Sequence, residues 1–220
     1  TLFVVFIGLT SFGGFVDAAS LGSRENPLRM MFVPSGDSQV ILKGGQEIAR
    51  HLEKATGLYF KTSVATSYAA VIEAMGAGKV DIGWLATFSY VLAHEKYGVE
   101  IILIVMRFGS PFYRGQIMVR TNSGINKLAE LKDKTFAFVD PASTSGHLYP
   151  KSLLLSKGFD PKSFFSKSVF VGSHNAAVLS ILKGEVDGGA AYEDARATVA
   201  KNFPEVFEKL KVIAYTENIP

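Results

Sequence analysis

The chain has 220 residues, 48% apolar and 20% charged, an ordinary balance for a folded protein with enough material for one large domain or two small ones. Its 23 Lys and Arg against 20 Asp and Glu leave a net charge of +3, dispersed without basic blocks, which excludes a nucleic-acid footprint. With no cysteine, disulfides, thiolate metal sites and a cysteine nucleophile are excluded as well.

In chain order, Leu2 to Phe15 is apolar with Gly and Ser interruptions, and Val16-Asp17-Ala18 offers small residues at the spacing a signal peptidase reads. Residues 1–18 therefore read as a secretory signal peptide lacking its basic n-region; an uncleaved anchor is the other reading. The run is shorter than the roughly 20 residues of a spanning helix. From Leu28 short apolar runs alternate with amphipathic stretches. Strands are predicted at Leu28–Val33, Tyr59–Val64, Asp81–Leu85, Glu100–Phe108, Gln116–Arg120, Thr135–Val139, Lys167–Val171, Val186–Ala190 and Lys211–Tyr215. Helices are predicted at Ser38–Thr56, Tyr68–Met75, Thr87–Tyr97, Leu148–Lys157 and Asn175–Lys183. Strands alternating with helices predict parallel βαβ units in an α/β protein.

A faint repeat runs through this pattern. Ala69-Ala70-Val71-Ile72 followed by Gly78-Lys79-Val80-Asp81-Ile82-Gly83 matches Ala176-Ala177-Val178-Leu179 followed by Gly184-Glu185-Val186-Asp187-Gly188-Gly189. Either helix–Gly–strand units look alike in any α/β fold, or the chain has two similar lobes with a cleft between them. The last residues, Glu217 to Pro220, follow a strand with no closing element, so the C-terminal part of the fold is expected to be missing.

The stretch richest in chemistry is Asp140-Pro141-Ala142-Ser143-Thr144-Ser145-Gly146-His147, between a predicted strand and a predicted helix. Unpaired N–H groups and the helix dipole favour an anion there, and Ser143, Thr144 and Ser145 add three hydroxyls where one would cap the helix. His174 follows Gly172-Ser173 at an equivalent junction, as an oxyanion donor or a cap. Tyr192 and Asp194 follow the predicted strand Val186–Ala190. A carboxylate there accepts from a protonated oxygen or an amine and rejects a fully deprotonated anion; alternatively it is an ordinary acidic helix start. Thr87 and Tyr90 lie where Trp84–Tyr90 passes from strand to helix, Tyr68 opens another helix, and Tyr113 lies where one half passes to the other. His51 and His94 are assigned no role, and His147 points along its helix. No Gly-x-Ser-x-Gly elbow, Walker loop or paired-His metal spacing is present.

Asp140-Pro-Ala-Ser-Thr-Ser-Gly-His-Leu-Tyr-Pro150, Gly172-Ser-His-Asn-Ala-Ala177 and Gly184-Glu-Val-Asp-Gly-Gly-Ala190 resemble the phosphate/phosphite/phosphonate-binding proteins of ABC importers. Gly78-Lys-Val-Asp-Ile-Gly-Trp84 and Asn122-Ser-Gly-Ile-Asn-Lys-Leu-Ala-Glu-Leu131 fit the same pattern, and the resemblance runs from Leu28 to Pro220. It implies a two-lobed periplasmic binding fold of type II with a hinge: lobe one at residues 28–107, lobe two at 108–215, and a return crossing starting at 216–220. It also implies that Ser143, Thr144, Ser145 and His174 bind the oxyanion while Tyr192 and Asp194 read the rest of the ligand. The expected protein is an exported monomer without cofactor or catalytic chemistry, with an inner-membrane permease as partner and no nucleic acid. The alternatives are a ligand-sensing domain of a signalling receptor and an enzyme on the same scaffold.

Overall fold

In the computed structural model, which describes residues 19–220, the alternating pattern resolves into two sheets. The segment read as a signal peptide lies outside the described residues. The first sheet has the order β2-β1-β3 and is built from β1 (Leu28–Phe32), β2 (Phe60–Val64) and β3 (Ile82–Trp84), all parallel. It is connected by α1 (Ser38–Thr56) and α2 (Tyr68–Gly76) and followed by α3 (Thr87–Tyr97). The second sheet has the order β6-β5-β7-β4-β8, from β4 (Tyr113–Arg120), β5 (Thr135–Phe138), β6 (Lys167–Phe170), β7 (Gly188–Tyr192) and β8 (Leu210–Ile219). Its helices are α4 (Tyr149–Ser156), α5 (Pro161–Phe164), α6 (His174–Leu182), α7 (Ala195–Ala200) and α8 (Val206–Lys209). Among the described residues no helix is long and apolar enough to cross a membrane.

Both faces of the second sheet are covered, which explains its near-continuous apolar strands. Ile117, Val119, Phe136, Phe138 and Ala190 pack on one face with Leu154, Phe164 and Phe165. Met118, Ala137 and Ala191, one residue out of phase, pack on the other with Val178, Ile181, Val199 and Val206. Strand-to-helix turns end in side-chain caps: Asp37 accepts from the Val40 N–H, Ser67 from Ala70 and Ser173 from Ala176. These caps start α1, α2 and α6 directly beyond the strand ends.

The predicted internal repeat has a physical basis. Asp81 and Asp187 each stand just before a strand and tie it to the start of the parallel neighbour. Asp81 Oδ2 accepts the Arg29 N–H at 2.7 Å, while its own N–H donates to the Arg29 carbonyl. Asp187 Oδ2 accepts the Thr135 N–H at 2.9 Å and likewise donates to the Thr135 carbonyl. Each Val-Asp-x-Gly run is a strand-start clamp used once per sheet.

Four sequence expectations are corrected. The sheets are not all parallel: β4 runs antiparallel to both β7 and β8, because apolar periodicity carries no direction once both faces are buried. Glu100–Phe108 is not a strand, and Ile101 to Met106 stay 53–75% exposed. A β-branched run needs a neighbouring strand to pair its backbone, and none flanks this run among the described residues. The strand predicted at Val186–Ala190 is shifted to Gly188–Tyr192, so Tyr192 ends a strand instead of following one. The predicted helix Leu148–Lys157 is preceded by a π-helical turn over Thr144–Leu148, so helical backbone begins within the hydroxyl run.

The clamp at Asp81 is electrostatically tuned. Hydrogen bonds from the Arg29 side chain hold its carboxyl below the usual range, against partial burial and with help from the Arg29 N–H. A depressed folded pKa means that the unfolded chain binds more protons. The stabilisation is therefore full above about pH 4 and is lost as pH falls through the folded value. Asp81→Ala is expected to lower stability by about 1–3 kcal/mol at pH 7 in urea unfolding. The gap from the parent protein should shrink progressively below about pH 4; a gap that widens on acidification would contradict the clamp.

Candidate functional site

The turn from β5 into α4 is built around a buried carboxylate. Asp140 accepts the Ala142 N–H at 2.8 Å on one oxygen and the Tyr68 N–H, from the start of α2, at 3.4 Å on the other. Ser143 caps the π-helical turn by accepting the Gly146 N–H at 3.1 Å, and the Gly146 carbonyl accepts the Val139 N–H at 3.0 Å. Ser143, Thr144 and Ser145 are only 1–3% exposed. Two glycines let the chain close this tightly. A Cβ on Gly146 would lie 2.3 Å from Val139 Cγ2, and one on Gly115 would lie 2.7 Å from the Ser145 carbonyl oxygen.

Elements of the first sheet dock directly on this turn. The Phe88 N–H, in the first turn of α3, donates to Thr144 Oγ1 at 2.8 Å, and Ser89 Oγ donates to the Ala142 carbonyl at 2.8 Å. The His174 N–H at the start of α6 donates to the Ser35 carbonyl at 3.0 Å, in the turn after β1. Val33, Tyr68, Val71, Ile72 and Ala93 pack with Val139, Ala142 and Ala177 from the second sheet's side in one apolar cluster. The faces of the two sheets' connecting turns are thus closed on each other.

Three aromatic side chains and a histidine line the junction. Tyr68 is 1% exposed, and burial pushes its phenol well above its ordinary value against the facing Ser143 hydroxyl. Burial also pushes the Tyr113 phenol up, against the hydroxyls of Ser145, Thr144 and Thr87 that it faces. Both phenols therefore keep their protons. Burial, reinforced by the charge of Arg107, pushes the His174 ring down to about 3. His174 Nδ1 accepts the Tyr192 N–H at 3.1 Å, which leaves the ring proton on Nε2. The histidine is a neutral donor held in one tautomer.

The structure therefore brings Ser143, Thr144, Ser145, Tyr113, Thr87 and His174 together around the β5–α4 turn. Tyr192 lies beside them with its ring centroid 4.6 Å from that of His174, but its hydroxyl is bonded to Thr198 Oγ1 at 3.0 Å. Asp194 pairs with Arg107 at 3.3 Å, with 42% of its side chain exposed. Tyr90 packs along α3 with its ring centroid 5.8 Å from that of His94. Thr87 Oγ1 donates to the Pro220 carbonyl at 2.6 Å. Sequence reasoning singled out neither Asp140 nor Arg107, and named Tyr68 as a candidate hydroxyl at a helix start without placing it in the expected site. For Asp140 the signal was present, as an Asp-Pro directly before the hydroxyl run. Arg107 sat inside the predicted strand, where its neighbours concealed it. Two shallow depressions, one lined by Ser20–Glu25 and Gly57–Tyr59 and the other by α1 and β2, share no residue with this cluster.

The geometry gives two tests. Nitrogen NMR of His174 is expected to show a neutral ring protonated on Nε2 from pH 5 to 8; a midpoint near 6.5 would contradict its burial. Gly146→Ala is expected to destabilise the fold by about 1–3 kcal/mol in thermal or urea unfolding, because Val139 lies against the added methyl.

Comparison with known proteins finds a match over residues 30–220 to the family described as ABC transporter, phosphonate, periplasmic substrate-binding protein. The phosphate-import protein PhnD of Mycolicibacterium smegmatis is 31% identical over 172 residues, covering 73% of this chain and 53% of that protein. The phosphonates-binding periplasmic protein of Escherichia coli is 28% identical, covering 99% of this chain and 65% of the relative. The chain thus spans between about half and two thirds of the length of these curated relatives. Among solved structures, a binding protein component of an ABC phosphonate transporter from Pseudomonas aeruginosa superposes with a TM-score of 0.81 at 27% identity, covering 88% of this chain and 66% of that one. PhnD1 of Prochlorococcus marinus in complex with methylphosphonate gives 0.79 at 25% identity, covering 87% and 72%.

Proposed function

The chain belongs to the phosphonate ABC transporter periplasmic substrate-binding protein family, with its two-lobed α/β fold, and from this premise we propose that it captures a phosphorus oxyanion between its lobes for delivery to an inner-membrane permease. One observation carries the reading. Proton donors from separate elements gather at the β5–α4 turn: the Ser143, Thr144 and Ser145 hydroxyls face the Tyr68 and Tyr113 phenols, and the neutral His174 lies next to them beside Tyr192. First-turn N–H groups of Thr144 and Ser145 have no intrahelical acceptors and add to the set. In a buried setting such donors bind an anionic oxygen more strongly than a neutral one.

Lobe one spans residues 28–107 and lobe two 108–219, corrected from the 108–215 expected because β8 stays paired with β4 up to Ile219, and the lobes are joined at 108–112 and from Pro220. A ligand touching both lobes favours the closed arrangement over an open one, which makes binding a hinge equilibrium. Residues 1–18 act as the export signal, and the mature protein works as a periplasmic monomer. The ligand leaves chemically unchanged, since no side chain in the cluster is an activated nucleophile.

Isothermal titration of the full-length protein with methylphosphonate, phosphite and phosphate is expected to give one-to-one binding of at least one of them. Ser143→Ala combined with His174→Ala is expected to weaken that binding by at least about a hundredfold, given about 1.5–3 kcal/mol for each hydrogen bond to a charged group. No binding of any of the three ligands would refute the reading, and unchanged affinity in the double variant would move the site elsewhere.

A further inference from the structure

A helix start needs an acceptor for its first N–H groups. In α1, α2 and α6 the residue before the helix supplies it, as Asp37, Ser67 and Ser173. α3 is built differently. Its cap position is held by Ala86, which has the extended backbone of a capping residue, φ −74° and ψ 156°, but no side-chain oxygen to offer. Alanine is among the poorest residues at this position. The acceptor comes instead from the other lobe: the Phe88 N–H, in the first turn of α3, donates to Thr144 Oγ1 at 2.8 Å.

The rest of that first turn reaches the same way. Ser89 Oγ donates to the Ala142 carbonyl at 2.8 Å, and Thr87 Oγ1 to the Pro220 carbonyl at 2.6 Å, just beyond the end of β8. Thr144 is 1% exposed, and its hydroxyl also faces the Tyr113 phenol. A threonine hydroxyl has two acceptor lone pairs and one proton to donate. The Phe88 N–H occupies a lone pair and leaves the proton for an acceptor within the cluster. Giving that proton to an anionic oxygen makes the hydroxyl oxygen a stronger acceptor toward Phe88, since linked hydrogen bonds polarise one another.

Resting on the oxyanion reading of the β5–α4 turn, we infer that Thr144 is the N-cap of α3 supplied from the opposite lobe, and that this one hydroxyl couples capture of the oxyanion to closure of the lobes. In the open arrangement Thr144 leaves α3, and the Phe88 N–H turns to water. In the closed one the helix gains its cap, and the ligand meets a hydroxyl whose oxygen is already fixed. A ligand shifts such an equilibrium only by its preference for the closed state, and the cap is part of what makes that state favourable. Ala86 keeps the cap conditional. A side-chain oxygen at that position would satisfy the same turn in both arrangements, and the contribution of Thr144 to closure would be lost.

The test is Ala86→Ser in the full-length protein, which gives α3 a cap of its own, read by urea unfolding and by calorimetry with methylphosphonate, phosphite and phosphate. The expected result is a higher urea midpoint together with binding weakened by about three- to tenfold for whichever of these ligands the parent binds. A cap with a purely structural role would raise the midpoint and leave affinity where it was. Amide hydrogen exchange at Phe88 gives a second readout that needs no variant. In the parent, ligand should slow that exchange by at least about tenfold, whereas in Ala86→Ser it should be slow before ligand is added. Unchanged or tighter binding in Ala86→Ser, or Phe88 exchange in the parent that ligand does not slow, would overturn the inference. In either case binding of a ligand by the parent would leave the oxyanion reading standing. Failure of all three ligands to bind would remove both.

Discussion

The carboxylate of Asp140 is the constraint on which the architecture turns. It sits at the end of β5 with 7% exposure and must find donors, because an unpaired buried charge is among the most costly defects a fold can carry. It finds one in its own turn and a second at the first residue of α2, on the far side of the junction. The same buried group therefore shapes the hydroxyl turn and helps dock the first sheet's helices on it. The Phe88 N–H on Thr144 and the His174 N–H on Ser35 add two more cross-connections of the same kind, each between a helix start and a turn. Polar groups at the interface are satisfied only when the two parts meet in this register.

Such a junction separates two kinds of electrostatics. Around the turn itself the donors are neutral: hydroxyls, phenols with raised pKa and an imidazole with a depressed one. Apart from the Asp140 carboxylate, full charges are kept further out and paired, as in Arg114 with Glu193 and Arg107 with Asp194. Neutral donors held by burial give fixed directions and distances without the desolvation cost of a cluster of cations.

Much of the fold was legible because its signals are local. Gly, Pro and capping residues marked the ends of α1, α2 and α6, and the apolar runs marked most strands. What failed was non-local. Strand direction depends on how the chain crosses between the sheets, and no periodicity records it. The run Ile101–Met106 has ideal strand composition yet stays unpaired, because composition describes what a residue prefers and says nothing about whether a partner strand stands beside it. The repeated Val-Asp-x-Gly segments stood between these cases: the pattern was visible, but its meaning as a strand-start clamp needed the partners Arg29 and Thr135.

The candidate site divides along the same line. Ser143 to Ser145 and His174 were identifiable from sequence because strand-to-helix junctions gather at one edge of a sheet, and a junction carries its own residues with it. Tyr68 and Arg107 enter only through the docking of one sheet's connections on the other, across 75 and 67 residues of chain respectively if measured to Ser143 and His174. Tyr90 shares a helix with Thr87, and its ring lies along that helix against His94. A binding site assembled between two lobes will always be half-concealed in this way. The residues that form a junction announce themselves, while those that close over it are ordinary tyrosines and arginines until the lobes are brought together.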